Sequence, residues 1–190
     1  MSKRKQRLTI IGVFALFFLP VLAAYILRLN PIGLTTVNYG QLVEPPRLTS
    51  ASELTVQHEL EHSAKLFVED WTMIVVGGAG CDLACSNTLD ATRQARIAVN
   101  KDFDRVRRVL LTTGKLKQAD ADALLKQHPD LTFAIAPQSW IEDFTSAHES
   151  PSAVWLVDPR GFQFMVYPGK LNPTHLLKDL KRLLKISAVG

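Results

Sequence analysis

From Leu8 to Leu27 the chain reads LTIIGVFALFFLPVLAAYIL, 20 residues without a charge, a length that few elements of a small soluble domain can absorb. An α-helix needs about 20 apolar residues to cross the hydrocarbon layer of a bilayer, so a single transmembrane helix is expected here. The apolar region of a cleavable signal peptide is shorter, about 7–15 residues, and ends at a small-residue site. This run closes on bulky Tyr25, Ile26 and Leu27, although Ala23 and Ala24 keep a cleavage site open. Lys3, Arg4, Lys5 and Arg7 precede it with no acidic residue among them. By the positive-inside rule the N-terminus then stays in the cytoplasm and everything after Arg28 lies outside. The expected localisation is an inner membrane, crossed once and contacted through its lipid, with the C-terminal domain periplasmic.

Four of the 22 basic residues stand in that N-terminal cluster, and the other 18 are matched by 18 acidic ones. The formal charge of +4 is therefore a topology signal, and no basic face remains for nucleic-acid binding. With 190 residues and 47% hydrophobic composition, the chain has room for one compact core beyond the membrane segment. Its two cysteines, Cys81 and Cys85, lie four apart in what should be an oxidising compartment. So close a pair cannot staple distant segments, which points to local chemistry.

The pattern after residue 28 divides into a connector, 29–64, marked by Pro31, Pro45 and Pro46, and a domain, 65–190; residues 1–7 form the cytoplasmic tail and 8–28 the anchor. Within the domain, Trp71–Val76 (WTMIVV) is an apolar, β-branched run bounded by GGAG, which predicts a buried strand of a largely parallel sheet. An amphipathic helix should follow, with Ala84, Leu89, Ala95, Ile97, Ala98 and Val99 on its apolar side. Val106–Thr112 is a second strand, and Gln118–Gln127 a helix stopped by His128-Pro129. Phe133–Ala136 reads as a short edge element and Gln138–Ala147 as a helix. Ala153–Val157 and Phe162–Tyr167 pair as a hairpin through the tight turn Asp158-Pro159-Arg160-Gly161. Asn172 caps a last helix with Pro173 at its first position and Leu176, Leu177, Leu180, Leu183 and Leu184 as its buried stripe. This order implies an α/β domain, a central mixed sheet flanked by helices in the thioredoxin-like arrangement.

Cys81-Asp-Leu-Ala-Cys85 follows the first strand and opens a helix, so both sulfurs should face one way at a helix N-terminus, where the dipole and free N–H groups favour a thiolate. Paired thiolates bind a soft ion such as Cu(I) or cycle between dithiol and disulfide. The bland alternative is two buried cysteines packing as small apolar residues.

The anchor, the strand ending in glycine before CxxxC (WTMIVVGGAGCDLAC) and the late VWLVDPRG resemble the Sco/SenC family of membrane-anchored, thioredoxin-like copper chaperones over residues 65–187. The resemblance implies a role in cytochrome c oxidase assembly, with oxidase subunit II or other assembly factors as partners. It also implies Cu(I) held by the motif cysteines, here Cys81 and Cys85, and by a histidine in the loop before the late strand. That position falls near Ser150, and His148 is the histidine at hand. Ser86 stands where the family has proline, and LLTTGKLK lacks the family's acidic, proline-containing segment, which makes this a divergent relative. It implies a metallochaperone rather than an enzyme. A thiol-disulfide reductase without metal, with Cys81 and Cys85 as its catalytic pair, and a scaffold with a structural pair are the alternatives.

His58-Glu59-Leu60-Glu61-His62 satisfies HExxH, the zinc motif of metalloproteases. A protease needs it on a long helix with a third ligand. An acidic segment ahead of the first core strand is instead expected to be solvated. Asp82 should cap the helix or tune the thiols. His128 and His175 read as helix-end and surface residues, and Trp71, Trp140 and Trp155 as core.

Overall fold

The computed structural model describes residues 3–29, 37–58, 66–146 and 153–187. They fall into two units, residues 1–37 and 38–190.

The first unit holds helix α1 (Lys3–Leu29). Its side chains from Ile11 to Leu27 are apolar all round and all exposed. Among the described residues no helix is long and apolar enough to cross a membrane; the described side chains of α1 cover 17 residues of the longer uncharged run.

The second unit is built on one seven-stranded sheet in the order β1-β7-β6-β3-β4-β5-β2. Its strands are β1 (Gln41–Leu48), β2 (Thr55–His58), β3 (Trp71–Gly78), β4 (Val106–Thr112), β5 (Leu131–Ile135), β6 (Val154–Val157) and β7 (Phe162–Tyr167). β3, β4 and β5 run parallel, and the remaining neighbours pair antiparallel. Helices α2 (Leu83–Ala98), α3 (Gln118–Gln127), α4 (Gln138–Thr145) and α5 (Pro173–Ile186) complete it. Met73, Val75, Leu110, Leu156 and Met165 point to one face, where α2 and α5 pack with α3 at the margin. Ile74, Val109, Leu111, Trp155 and Val157 point to the other, covered by Phe144 and Trp140 of α4 with Leu66 and Phe67. Burial on both faces is why the central strands read as unbroken apolar runs rather than alternating ones.

Two expectations about the margins of the domain fail. The segment 29–64 is more than a connector, since it supplies both edge strands, β1 on β7 and β2 on β5. Pro45 and Pro46 hide β1 in the sequence because proline lacks the N–H that a ladder uses; at an edge, with the pairing register shifting between Leu42 and Arg47, it is tolerated. Because β2 covers β5, the element foreseen at Phe133–Ala136 is an interior strand. The Asn172 cap is as expected, its Oδ1 accepting from the Thr174 N–H at 2.9 Å.

Within the leucine stripe of α5 sits a carboxylate, Asp179, 1% exposed. Its Oδ2 accepts from the N–H groups of Tyr39 (2.8 Å) and Gly40 (3.0 Å) and from the Tyr167 hydroxyl (3.0 Å). Gly40 fits there because any Cβ would run into Met165 and Tyr167. Burial, then the Asp179 charge, pushes the Tyr167 phenol well above its ordinary range.

Candidate thiol site

The site begins where β3 stops. A Cβ on Gly77 would stand 3.0 Å from Gly80 O and from Leu110 Cδ1 and 3.4 Å from Cys85 Sγ, so glycine lets the strand end approach the sulfur. Gly78 takes φ 62°, and the Gly80 N–H donates back to Gly77 O at 3.2 Å. That turn delivers Cys81 to the mouth of α2. Asp82 is the N-cap, its Oδ1 accepting from the Cys85 N–H at 2.8 Å, so of the two roles expected for it the geometry supplies the cap. The Ser86 N–H donates to Asp82 O at 2.9 Å, a bond that a proline at this position would lack.

Cys81 and Cys85 form a disulfide, with their Cα atoms 5.2 Å apart. The two sulfurs differ in access. Cys85 is 4% exposed and packs in the α2/α5 core, whereas Cys81 is half-buried and lines a cleft of about 500 Å³. The loop between β4 and α3 forms the facing wall with Lys115, Leu116 and Lys117, and α3 adds Asp120 and Leu124. Sequence reasoning found the sulfurs and missed these lysines; the signal was their placement on either side of one apolar residue.

Of the other histidines singled out in the sequence, the described residues place one away from the thiols. His148 and Ser150 lie outside the described residues. His58 ends strand β2, paired with Phe133, so HExxH fails the helix requirement at its first residue; residues 59–65 lie outside the described ones. Among the described residues no three histidine, cysteine or carboxylate side chains gather as a metal-binding group. The two sulfurs, once reduced, form a soft donor pair.

His128 is a correction of another kind. It ends α3 as its C-cap, as expected, but it is 0% exposed rather than at the surface, and its Nδ1 lies 3.4 Å from Arg108, a guanidinium 1% exposed in the middle of β4. Arg108 donates to Asp130 Oδ1 (2.9 Å), Leu89 O (2.6 Å) and Thr92 Oγ1 (3.1 Å). Two of these acceptors belong to α2, so the buried cation fixes the cysteine-bearing helix against the sheet. Burial works to raise the Asp130 pKa, but Arg108 and Arg96 outweigh it and hold the carboxyl below its usual range. Burial, then Arg108, lowers that of His128.

Comparison with known proteins bears on the fold. Yeast Sco1 is similar in structure at TM-score 0.57 and 14% identity, over 78% of this chain and 100% of that one. Apo Sco1 from Thermus thermophilus is similar at TM-score 0.56 and 15% identity, over 80% and 99%. Copper-bound ScoI from Bradyrhizobium japonicum is similar at TM-score 0.51 and 20% identity, over 72% and 96%. At such identities the likeness shows a shared fold, and it agrees with the resemblance carried by the motifs. A search of curated proteins finds no match. Residues 71–187, from the first residue of β3 to just past α5, match the family described as transmembrane-like, thioredoxin-like, C-terminal domain, and the chain belongs to that family.

Proposed function

We propose that the chain is a membrane-anchored, thioredoxin-like factor of cytochrome c oxidase copper-site assembly that works through the thiols of Cys81 and Cys85. One observation carries the reading: the pair is disulfide-bonded at a strand-to-helix junction with one sulfur on an open cleft. A client thiolate attacks Cys81 Sγ, the more accessible sulfur. The S–S bond breaks, and its electron pair leaves on Cys85 Sγ within the first turn of α2, where the helix dipole favours an anion. A second client thiolate then attacks the client sulfur of the mixed disulfide and releases Cys81. The client dithiol is thereby oxidised and the pair reduced. Run backwards, with the pair kept reduced by a dithiol donor of the compartment, the same steps reduce a client disulfide.

Copper enters as cargo. Cys81 and Cys85 would hold Cu(I) as two thiolates, and His148 is the candidate third donor. Disulfide and copper-bound forms exclude each other, because the disulfide leaves no thiolate to bind. The oxidase assignment rests on the resemblance to the Sco/SenC family and on its copper-bound structural relatives. Anchoring rests on the uncharged run of α1 behind four basic residues, and it sets the domain on the periplasmic side of an inner membrane.

The test uses the full chain in nonionic detergent. Cys85→Ser should accumulate a mixed disulfide at Cys81 with a disulfide-containing client peptide, read by mass spectrometry. The reduced wild type should bind about one Cu(I), lost in the Cys81→Ser/Cys85→Ser double variant. Neither trapping nor copper binding above the double variant would sink the proposal.

A further inference from the structure

The cleft beside Cys81 carries information about what docks there. Its outer wall, the loop from Thr113 to Lys117, is fixed at several points. The Thr113 N–H donates to Gly78 O at 2.7 Å, the Thr112 hydroxyl to Gly114 O at 2.8 Å, and Leu116, 7% exposed, is set into the α2/α5 core. With Leu116 turned inward, its two neighbours Lys115 and Lys117 are held outward, and both line the cleft that Cys81 lines. Neither ammonium is in an ion pair among the described residues. Among the described residues the carboxylate in the cleft wall is Asp120, so the two lysines leave that lining cationic. Lys117 is also the N-cap of α3, where the positive end of the helix adds to the same field.

We propose that this cleft is the client-docking site and that it selects cysteine-bearing segments with carboxylates a few residues from the reacting sulfur. This deepens the thiol-exchange reading and rests on it. An acidic client places its side chains against Lys115 and Lys117 while its sulfur meets Cys81 Sγ. The reaction is balanced: two client thiols become a disulfide, the Cys81–Cys85 disulfide becomes two thiols, and the two protons pass from client to protein through solvent. Two exposed ion pairs are worth about a fivefold rate preference, weakened by salt.

The test takes the full chain, oxidised, in nonionic detergent, with two synthetic dithiol peptides that differ in having glutamates or lysines beside their cysteines. The quantity read is the ratio of their second-order rate constants for reducing the Cys81–Cys85 disulfide. Charge near a cysteine changes its intrinsic reactivity, so the ratio is compared between wild type and the Lys115→Gln/Lys117→Gln variant, where that intrinsic difference cancels. The glutamate-to-lysine ratio should fall about fivefold in the variant, and raising the salt should bring the wild-type ratio toward the variant's. Lys115→Glu/Lys117→Glu should lower it further. A ratio unchanged by both substitutions overturns the assignment of the client class while leaving thiol exchange standing. If neither peptide reduces the wild type, thiol exchange itself fails, and the docking site with it.

Discussion

Reducing the Cys81–Cys85 bond should lower the stability of the domain by an amount that depends on pH. The bond closes a loop over a sequence separation of four. Chain entropy for so short a loop gives about 2 kcal/mol at 25 °C. Against this stands the reduced form's own gain: a thiolate at the first turn of α2 is favoured by roughly 0.3–1 kcal/mol. That gain exists only where the thiol is ionised. A thiol whose folded pKa is depressed stabilises the reduced fold fully only above its unfolded pKa and loses the effect as pH falls through the folded one. At pH 5 the full difference of about 2 kcal/mol should therefore appear, a melting temperature about 4–8 °C lower for a domain of this size. Well above the free-thiol pKa of about 8.5, where the gain is fully present, the gap should narrow to about 1–1.7 kcal/mol. The assay is thermal unfolding of the full chain in nonionic detergent, followed by near-ultraviolet circular dichroism, with and without a phosphine reductant. The Cys81→Ser/Cys85→Ser variant serves as a reference and should melt close to the reduced protein at pH 5. A reduced protein that melts at or above the oxidised one at pH 5 would refute the reasoning, because no thiolate is then present to compensate.

Asp130→Ala should cost about 3–5 kcal/mol in urea unfolding, because it strands the Arg108 guanidinium without its carboxylate in the interior. His128 is held neutral by burial and by Arg108, with Asp90, Asp130 and Arg93 the other charges that act on it. Its folded pKa is the lower one, so the unfolded chain takes up its proton first. Stability should fall as pH drops below about 6.5, by at most about 1.4 kcal/mol per pH unit, and His128→Gln should flatten that slope. Asp179→Ala should lose about 2–4 kcal/mol by removing three hydrogen bonds to a buried carboxylate. Tyr167→Phe, which spares the two backbone bonds, should lose less; equal losses would contradict the arrangement.

The strands at the centre of the sheet were legible because both their faces are buried, so WTMIVV and VRRVLLT needed no partner to be recognised. The caps Asp82 and Asn172 were legible for a similar reason, since a cap acts within one turn of its own chain. β1 and β2 were not. Their strand character comes from the neighbours β7 and β5, and local composition around Pro45 and Pro46 argues against it. The place of His128 at the end of α3 was legible, but its burial was not, because that follows from Arg108, 20 residues away, and from the carboxylates that compensate that cation. At the thiol site the sulfurs declared themselves by spacing. The lysines became part of the site only when Leu116 was seen to turn into the core.

The carboxylate of Asp179 has a mechanical consequence. Tyr39 and Gly40 come just ahead of β1, an edge strand interrupted by two prolines and therefore easily peeled from β7. A pull on the chain from its N-terminal side does not reach β1 first. It meets the Tyr39 and Gly40 N–H groups on Asp179, and through that side chain the force passes into α5 and its row of buried leucines. Tension on the leader of this domain is thus carried into the helix that closes the fold, and the weakest strand is spared.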